Sequence, residues 1–297
     1  RSIVARGNPV PGNLKIVLRA QVAPPRAPDG TMMQASHIAL SPDGKSAFVV
    51  YMLQGSDAYG GVDVIDVSRP ASARIVTSRE FPDGDIGAVV YDGSTLYLGG
   101  AKSDPGGNAW VVAIPYSRGK LGRQRETHLP GYFATAVDVS GDSLFVTTGT
   151  TSGGVEAGLF VLDTTTLAAT ASDKTDLDDL RSVAIAAGAP PAFTAQWPTV
   201  SPLYDPTVRF YTDAGLASST DLNLTGYTAQ AEAKSWMESI GDYLYVACNL
   251  SGVAVIDAGS QSVVAGIPAP SLDPAAVPQD AQSSNAVSQG TGSSKTL

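Results

Sequence analysis

With 297 residues, 43% apolar and only 16% charged, the chain is long enough to bury one large core or two ordinary ones. Its 19 basic against 28 acidic residues, a net charge of −9, argue against the basic footprint that nucleic acid or an anionic membrane surface requires. A single cysteine, Cys248, excludes an internal disulfide framework and a cysteine-based zinc site, and no apolar run approaches the ~18 residues of a membrane-spanning helix.

Gly (31) and Pro (20) are plentiful, which reads as many turns and hence many short strands. Residues 1–13 are punctuated by Pro and Gly and are expected to be flexible. Leu14–Val22 is β-like and is followed by a Pro-rich link at 23–30. Ser36–Val50 reads strand, turn, strand about Ser41-Pro42-Asp43-Gly44, where Pro at the second position and Gly at the fourth fit a type I turn. Residues 60–76, GGVDVIDVSRPASARIV, read as an apolar strand, an Asp/Ser/Pro turn and a second β-branched strand.

These signals repeat. An aromatic falls at Phe48, Tyr97, Phe145, Phe193 and Tyr245, at intervals of 49, 48, 48 and 52 residues. A turn glycine precedes each, at Gly44, Gly93, Gly141, Gly188 and Gly241, and a mostly apolar strand follows each: GVDVIDV, WVVAI, GLFVLDT, VRFYT and GVAVIDA. Four antiparallel strands per repeat of this length predict an all-β chain of β-propeller blades. A middle strand pressed between neighbouring blades is buried on both faces, hence the near-continuous apolar runs. The units fall at about 31–80, 84–129, 132–175, 179–228 and 230–268, within a single domain spanning 14–297. The fourth is the least regular, with Pro190-Pro191 and Pro198 beside its second strand. Asn285–Leu297 matches the start of another unit, Leu297 aligning with Leu96, Leu144 and Leu244. The expectation is therefore five blades and the start of a sixth, in a ring of six or seven when complete, with residues 14–22 as the ring-closing strand.

The runs GGVDVIDVSRPASARIV, GLFVLDTTTL and YLYVACNLSGVAVIDA resemble LVIVD-repeat β-propellers, and SPDGKSAFV is similar to the wider YVTN/lactonase-like propellers. The resemblance covers about residues 14–268 with gaps and is strongest in the first, third and fifth units. The second unit departs from it, with Ile114-Pro115-Tyr116 where the family shows Asp. Members are mostly exported or surface-associated bacterial proteins of unassigned activity. The resemblance thus implies a fold and an extracellular, periplasmic or cell-surface location, the signal segment lying outside this sequence. Few Lys, many small residues and a pI near 4.6 fit the same location.

On such a fold the default ligand site is the channel mouth, where the first strands of the blades begin. His37, Asp85, Tyr132, Arg181, Trp236 and Asn285 are expected to meet there, as a mixed polar ring able to hold a small polar ligand or peptide, or only water. His37 and His128, the two histidines, show no partner at metal-ligand spacing. Asp83 and Asp85, and Asp173, Asp176, Asp178 and Asp179, are the groups that bear on Ca²⁺, but neither matches a calcium-loop pattern and solvated loops are preferred. No cofactor is implied. Asp66, Asp163 and Asp257 end equivalent strands, where a carboxylate accepts from the backbone of the following turn. Cys248 reads as a small buried thiol. The run 290–296, GTGSSKT, lacks phosphate-loop spacing, no G-x-S-x-G elbow occurs, and the sequons at Asn223 and Asn249 matter only in a eukaryotic source.

The expectation is a non-catalytic binding module for a protein, peptide or glycan partner, with no nucleic acid and no membrane span. The alternative is a lactonase-like hydrolase with its site at the channel mouth, assisted or not by a metal. A cell-surface spacer module is the third reading.

Overall fold

Five antiparallel sheets follow one another along the chain, and no α-helix occurs among the described residues. The computed structural model describes residues 18–53, 58–103, 109–149, 157–175, 178–185, 192–198, 206–227, 236–248 and 251–268, with backbone alone at 175, 178–179 and 192–198. The first sheet is β1 (Gln34–Leu40), β2 (Ser46–Met52), β3 (Gly60–Asp66) and β4 (Arg74–Phe81). The second is β5 (Gly84–Tyr91), β6 (Thr95–Lys102), β7 (Ala109–Ser117), β8 (Lys120–Leu121) and β9 (Arg125–Leu129). The third is β10 (Phe133–Ser140), β11 (Ser143–Gly149), β12 (Ala157–Asp163) and β13 (Ala169–Thr175). The fourth is β14 (Asp178–Ala184), β15 (Ala192–Pro198), β16 (Thr207–Tyr211) and β17 (Ser219–Asn223). The fifth is β18 (Met237–Ile240), β19 (Tyr243–Ala247), β20 (Val253–Asp257) and β21 (Ser262–Ile267).

Each sheet is a meander, in which strands consecutive in sequence are hydrogen-bonded neighbours, apart from β9, which pairs with β7. Tight turns make this order cheap to form. Gly44, Gly93, Gly141 and Gly241 all have positive φ, from 55° to 103°, which a side chain disfavours. At the first of these turns Gly44 N–H donates to Ser41 O at 2.8 Å, and Asp43 accepts from the Ser41 hydroxyl at 2.7 Å. Gly188 lies outside the described residues.

The sheets stack face to face in chain order. Phe48, Val50, Val62 and Val64 of the first pack on Ile86, Leu96, Leu98 and Val112 of the second. The opposite face of the second, with Tyr97, Val111 and Ala113, packs on Val137, Leu144 and Val146 of the third. Phe145, Leu159 and Val161 then meet Leu180, Val183 and Tyr211 of the fourth sheet. Val208 and Phe210 meet Leu244, Val246 and Ile256 of the fifth. Double-faced burial explains why Ala109–Ile114 and Ala157–Leu162 are continuous apolar runs, every residue of both being buried. Each such Val, Leu or Ile contributes about 1.5–3 kcal/mol.

The second sheet departs from the pattern where its sequence does. β7 pairs with β9 over Ala109–Ala113 and with β8 at Tyr116 and Ser117. Pro115, which has no N–H to donate, sits where β7 changes partner. Arg118 and Gly119, both at positive φ, close the tight hairpin to β8. This excursion reaches the first sheet, where Arg79 on β4 donates to Gly122 O at 2.8 Å.

The outer strands differ in charge. β4, β9, β13 and β17 each carry charged side chains, among them Arg79, Glu126, Asp173 and Asp221. β21, SVVAGI, carries none, and its Val263, Val264 and Ile267 are exposed.

Residues 18–22 form no strand, so the expected ring-closing strand is absent over that span, and residues 1–17 lie outside the described set. The fifth sheet is complete without it. Pro24 and Pro25, immediately downstream, favour an extended, unpaired path. Among the described residues the first pairing is the Arg26–Met32 bridge, and Ala27 and Met33 pack with Tyr51 and Tyr59. The segment expected to begin another unit, 285–297, also lies outside the described residues.

The three strand-ending aspartates cap their turns. Asp66 accepts from Ser68 N–H (3.0 Å) and its hydroxyl (2.6 Å), Asp163 from Thr165 N–H (3.1 Å) and Thr166 N–H (2.7 Å), and Asp257 from Ser260 N–H (2.7 Å). These hydrogen bonds hold all three carboxyls below the ordinary aspartate value. A depressed folded value means stabilisation present above the unfolded pKa and lost as pH falls through the folded one. Thermal melts from about pH 5 down to about pH 2.5 should therefore show a falling midpoint, with a shallower fall in the triple Asp→Asn variant at positions 66, 163 and 257. Parallel curves for the two proteins would refute the assignment.

Candidate functional site

The candidate site lies where the first strands of the sheets run side by side. β1 contacts β5, β5 contacts β10, β10 contacts β14, and β14 contacts β18. Each first strand has a strand partner on one side only, so its other edge presents backbone N–H and C=O groups to the neighbouring sheet. Buried groups of this kind need partners.

Side chains supply them. β1, β5, β10 and β14 each shift register by one residue, which makes Ser36, Gly87, Thr135 and Arg181 the bulge residues opposite their second strands. A β-bulge re-aims the side chain it carries. The Ser36 hydroxyl lies 2.6 Å from Ile86 O of the second sheet, and the Thr135 hydroxyl donates to Leu180 O of the fourth. In both cases the acceptor is the residue just before the next sheet's bulge. At Gly87 an aromatic replaces the hydroxyl: a Cβ there would lie 2.5 Å from the Phe133 ring, so glycine admits that ring.

In the first and fourth sheets the residue after the bulge makes a second bond. His37, Ala88, Ala136 and Ser182 are equivalent by register, and Trp236 joins them through the Ala247 N–H bond to Trp236 O at 2.9 Å. His37 Nδ1 accepts Val89 N–H of the second sheet at 3.0 Å. Ser182 Oγ accepts Met237 N–H of the fifth at 2.8 Å. Asp138 accepts Ile185 N–H at 2.9 Å, and the Ser239 hydroxyl donates to Ile185 O at 2.7 Å.

Two of the six residues expected at the channel mouth meet. The His37 and Trp236 rings lie 4.0 Å apart between centroids, tilted by 42°, and join the first sheet to the fifth. Trp236 also packs against the apolar cluster shared by the third and fourth sheets. Asp85 faces the backbone instead: its Oδ1 accepts Leu53 N–H and Tyr59 N–H, each at 3.2 Å, and so holds together the two ends of the loop joining β2 to β3. Tyr132 precedes β10, its N–H bonded to Gly149 O at 2.8 Å and its side chain 53% exposed. Arg181 is the bulge residue of β14, and Asn285 lies outside the described residues. His128 is exposed on the outer strand β9, away from this line.

Among the described residues no group of three or more His, Cys, Asp or Glu side chains converges to hold a metal ion. Of the acidic residues weighed for Ca²⁺, Asp83 pairs with Lys102 (3.7 Å) and Asp173 with Arg209 (3.1 Å) and the Tyr211 hydroxyl (2.9 Å). Asp176 lies outside the described residues. Cys248 is fully buried and its thiol is pushed up to about 12 by that burial, which keeps it protonated and unreactive.

Single-residue reading missed Ser36, Thr135 and Ser182. The signal available was a column of small or polar residues recurring just after the start of otherwise apolar first strands. No protein-family model matches this chain, and no curated protein matches it.

Ser36→Ala and Thr135→Val should each lower unfolding free energy by about 1 kcal/mol in urea titrations, the net value of one hydrogen bond. A control such as Ser172→Ala on exposed β13 should stay within about 0.5 kcal/mol. Asp85→Ala should cost about 1–3 kcal/mol by taking the acceptor from Tyr59 N–H, Leu53 N–H keeping its bond to Tyr59 O, while Asp85→Asn, which keeps an acceptor, costs less. Equal losses from the two Asp85 variants would show that its charge, not its bonds, matters.

Proposed function

We propose that the five sheets are blades of a β-propeller of the LVIVD-repeat kind. On this reading the protein is an exported or cell-surface, non-catalytic module that binds a protein, peptide or glycan partner at one end of the ring. The observation that carries the fold half is the contact between His37 and Trp236. Sheets packed face to face lie ~10 Å apart, so a straight stack of five would separate the first from the last by roughly 40 Å. A centroid distance of 4.0 Å requires the stack to curve back on itself.

The functional half rests on how the polar groups at this end are used. His37 Nδ1, Asp85 Oδ1 and Ser182 Oγ are each bonded to backbone N–H groups, which suits them to holding strands rather than to transferring protons. Tyr132, at the entry to β10, is a large exposed aromatic. Tyrosine in such a place supplies contact area at small entropic cost and is enriched among residues that dominate binding energy.

The test uses the purified full chain against an immobilised oligosaccharide array and a displayed peptide library. Saturable binding that falls about tenfold or more in Tyr132→Ala, with an unchanged melting midpoint, is the expected result. Turnover of a lactone or ester panel, or binding indifferent to Tyr132, would overturn the binding reading. Electron micrographs lacking ring-shaped particles would overturn the propeller.

A further inference from the structure

We propose that His37 is an acid-sensitive latch joining the first, second and fifth sheets, closed while its imidazole is neutral and opened by protonation. The inference is independent of what the protein binds.

The geometry makes His37 a junction. Its backbone sits on β1 opposite Val50. Nδ1 takes the N–H of Val89 on β5, and the ring face meets Trp236 at the head of the fifth sheet. A ring nitrogen that accepts a hydrogen bond must carry a lone pair. Neutral imidazole offers one such nitrogen, whereas imidazolium has two N–H donors and no acceptor. Protonation at Nδ1 would set one N–H against another, removing the bond and orphaning the Val89 N–H between sheets. The equivalent position on the fourth sheet is Ser182, which makes the same bond to Met237 N–H without a titratable group. Of these two equivalent latches, one responds to pH and the other does not.

The charged residues on the surrounding strands are Asp85 on β5, Asp178, Asp179 and Arg181 on β14 and Glu238 on β18, and none stands on β1 or β2. Asp85 is held by the Leu53 and Tyr59 N–H groups. An unperturbed imidazole changes charge between about pH 5 and 8, and that is the range over which the latch is tested.

The experiment is an NMR titration of the full chain in a His128→Gln background, which leaves His37 as the one histidine. From about pH 8 to about pH 5 the ring nitrogens of His37 should titrate together with the Val89 amide resonance. Hydrogen-exchange protection at Val89, corrected for intrinsic rate, should fall roughly fivefold, the factor expected for one lost hydrogen bond. Met237, on the serine latch, should keep its protection. His37→Asn, whose amide oxygen can accept but cannot titrate in this range, should make Val89 protection independent of pH. A Val89 amide whose shift and protection ignore the His37 titration in the His128→Gln protein overturns the proposal, whether or not the Asn variant folds. Persistence of the full pH response in His37→Asn overturns it equally.

Discussion

A sheet whose first strand has only one neighbour must find partners for half of that strand's backbone, and this protein finds them in the side chains of adjacent sheets. Ser36 and Thr135 reach forward to a carbonyl, while His37, Ser182 and Asp138 accept an N–H. Apolar packing between sheet faces supplies more of the total stability, but it is non-directional and tolerates sliding. The bonds along the first strands favour one register, because hydrogen bonds weaken steeply when distance or angle departs from the optimum. Bulges make this possible by turning the side chain of one residue out of the pleat.

Much of the fold was legible because its causes are local and repeated. A turn that needs positive φ selects glycine, so Gly44, Gly93, Gly141 and Gly241 recur in step. Burial on both faces selects continuous apolar strands, so Ala109–Ile114 and Ala157–Leu162 announce themselves. Carboxylates that cap the turns, Asp66, Asp163 and Asp257, follow the same logic. What escaped was non-local. The repeat placed His37 and Trp236 at equivalent strand starts, and their rings do meet, but nothing local marks Ser36, Thr135 and Ser182 as joining sheets, and Asp85, read as a ligand residue, instead closes the neighbouring sheet's loop. Leu18–Val22 has strand-like composition but no strand, since propensity describes a fit to neighbouring strands and none pairs with it among the described residues.

Irregularity in the second sheet has a use. Because Pro115 interrupts the pairing of β7, the chain is released for one short hairpin before β9 resumes the sheet. That hairpin crosses to β4 and binds Arg79, adding a clasp between the first two sheets on the side away from their first strands. Arg209 does comparable work farther along, held by both carboxylate oxygens of Asp221 (2.7 and 3.0 Å) and by Asp173 of the preceding sheet (3.1 Å). These sheets are thus tied both along their first strands and near their outer strands, which resists twisting of one against the next.

The neutrality of β21 has a different consequence. Proteins blunt the outermost strand of a sheet with charge, because a bare row of N–H and C=O groups flanked by Val and Ile templates the growth of foreign strands. Four of the outer strands here follow that rule and SVVAGI does not. Crowding, heating or partial unfolding would therefore seed clumping of this protein first along β21, and a lysine in place of Val264 is the natural gatekeeper.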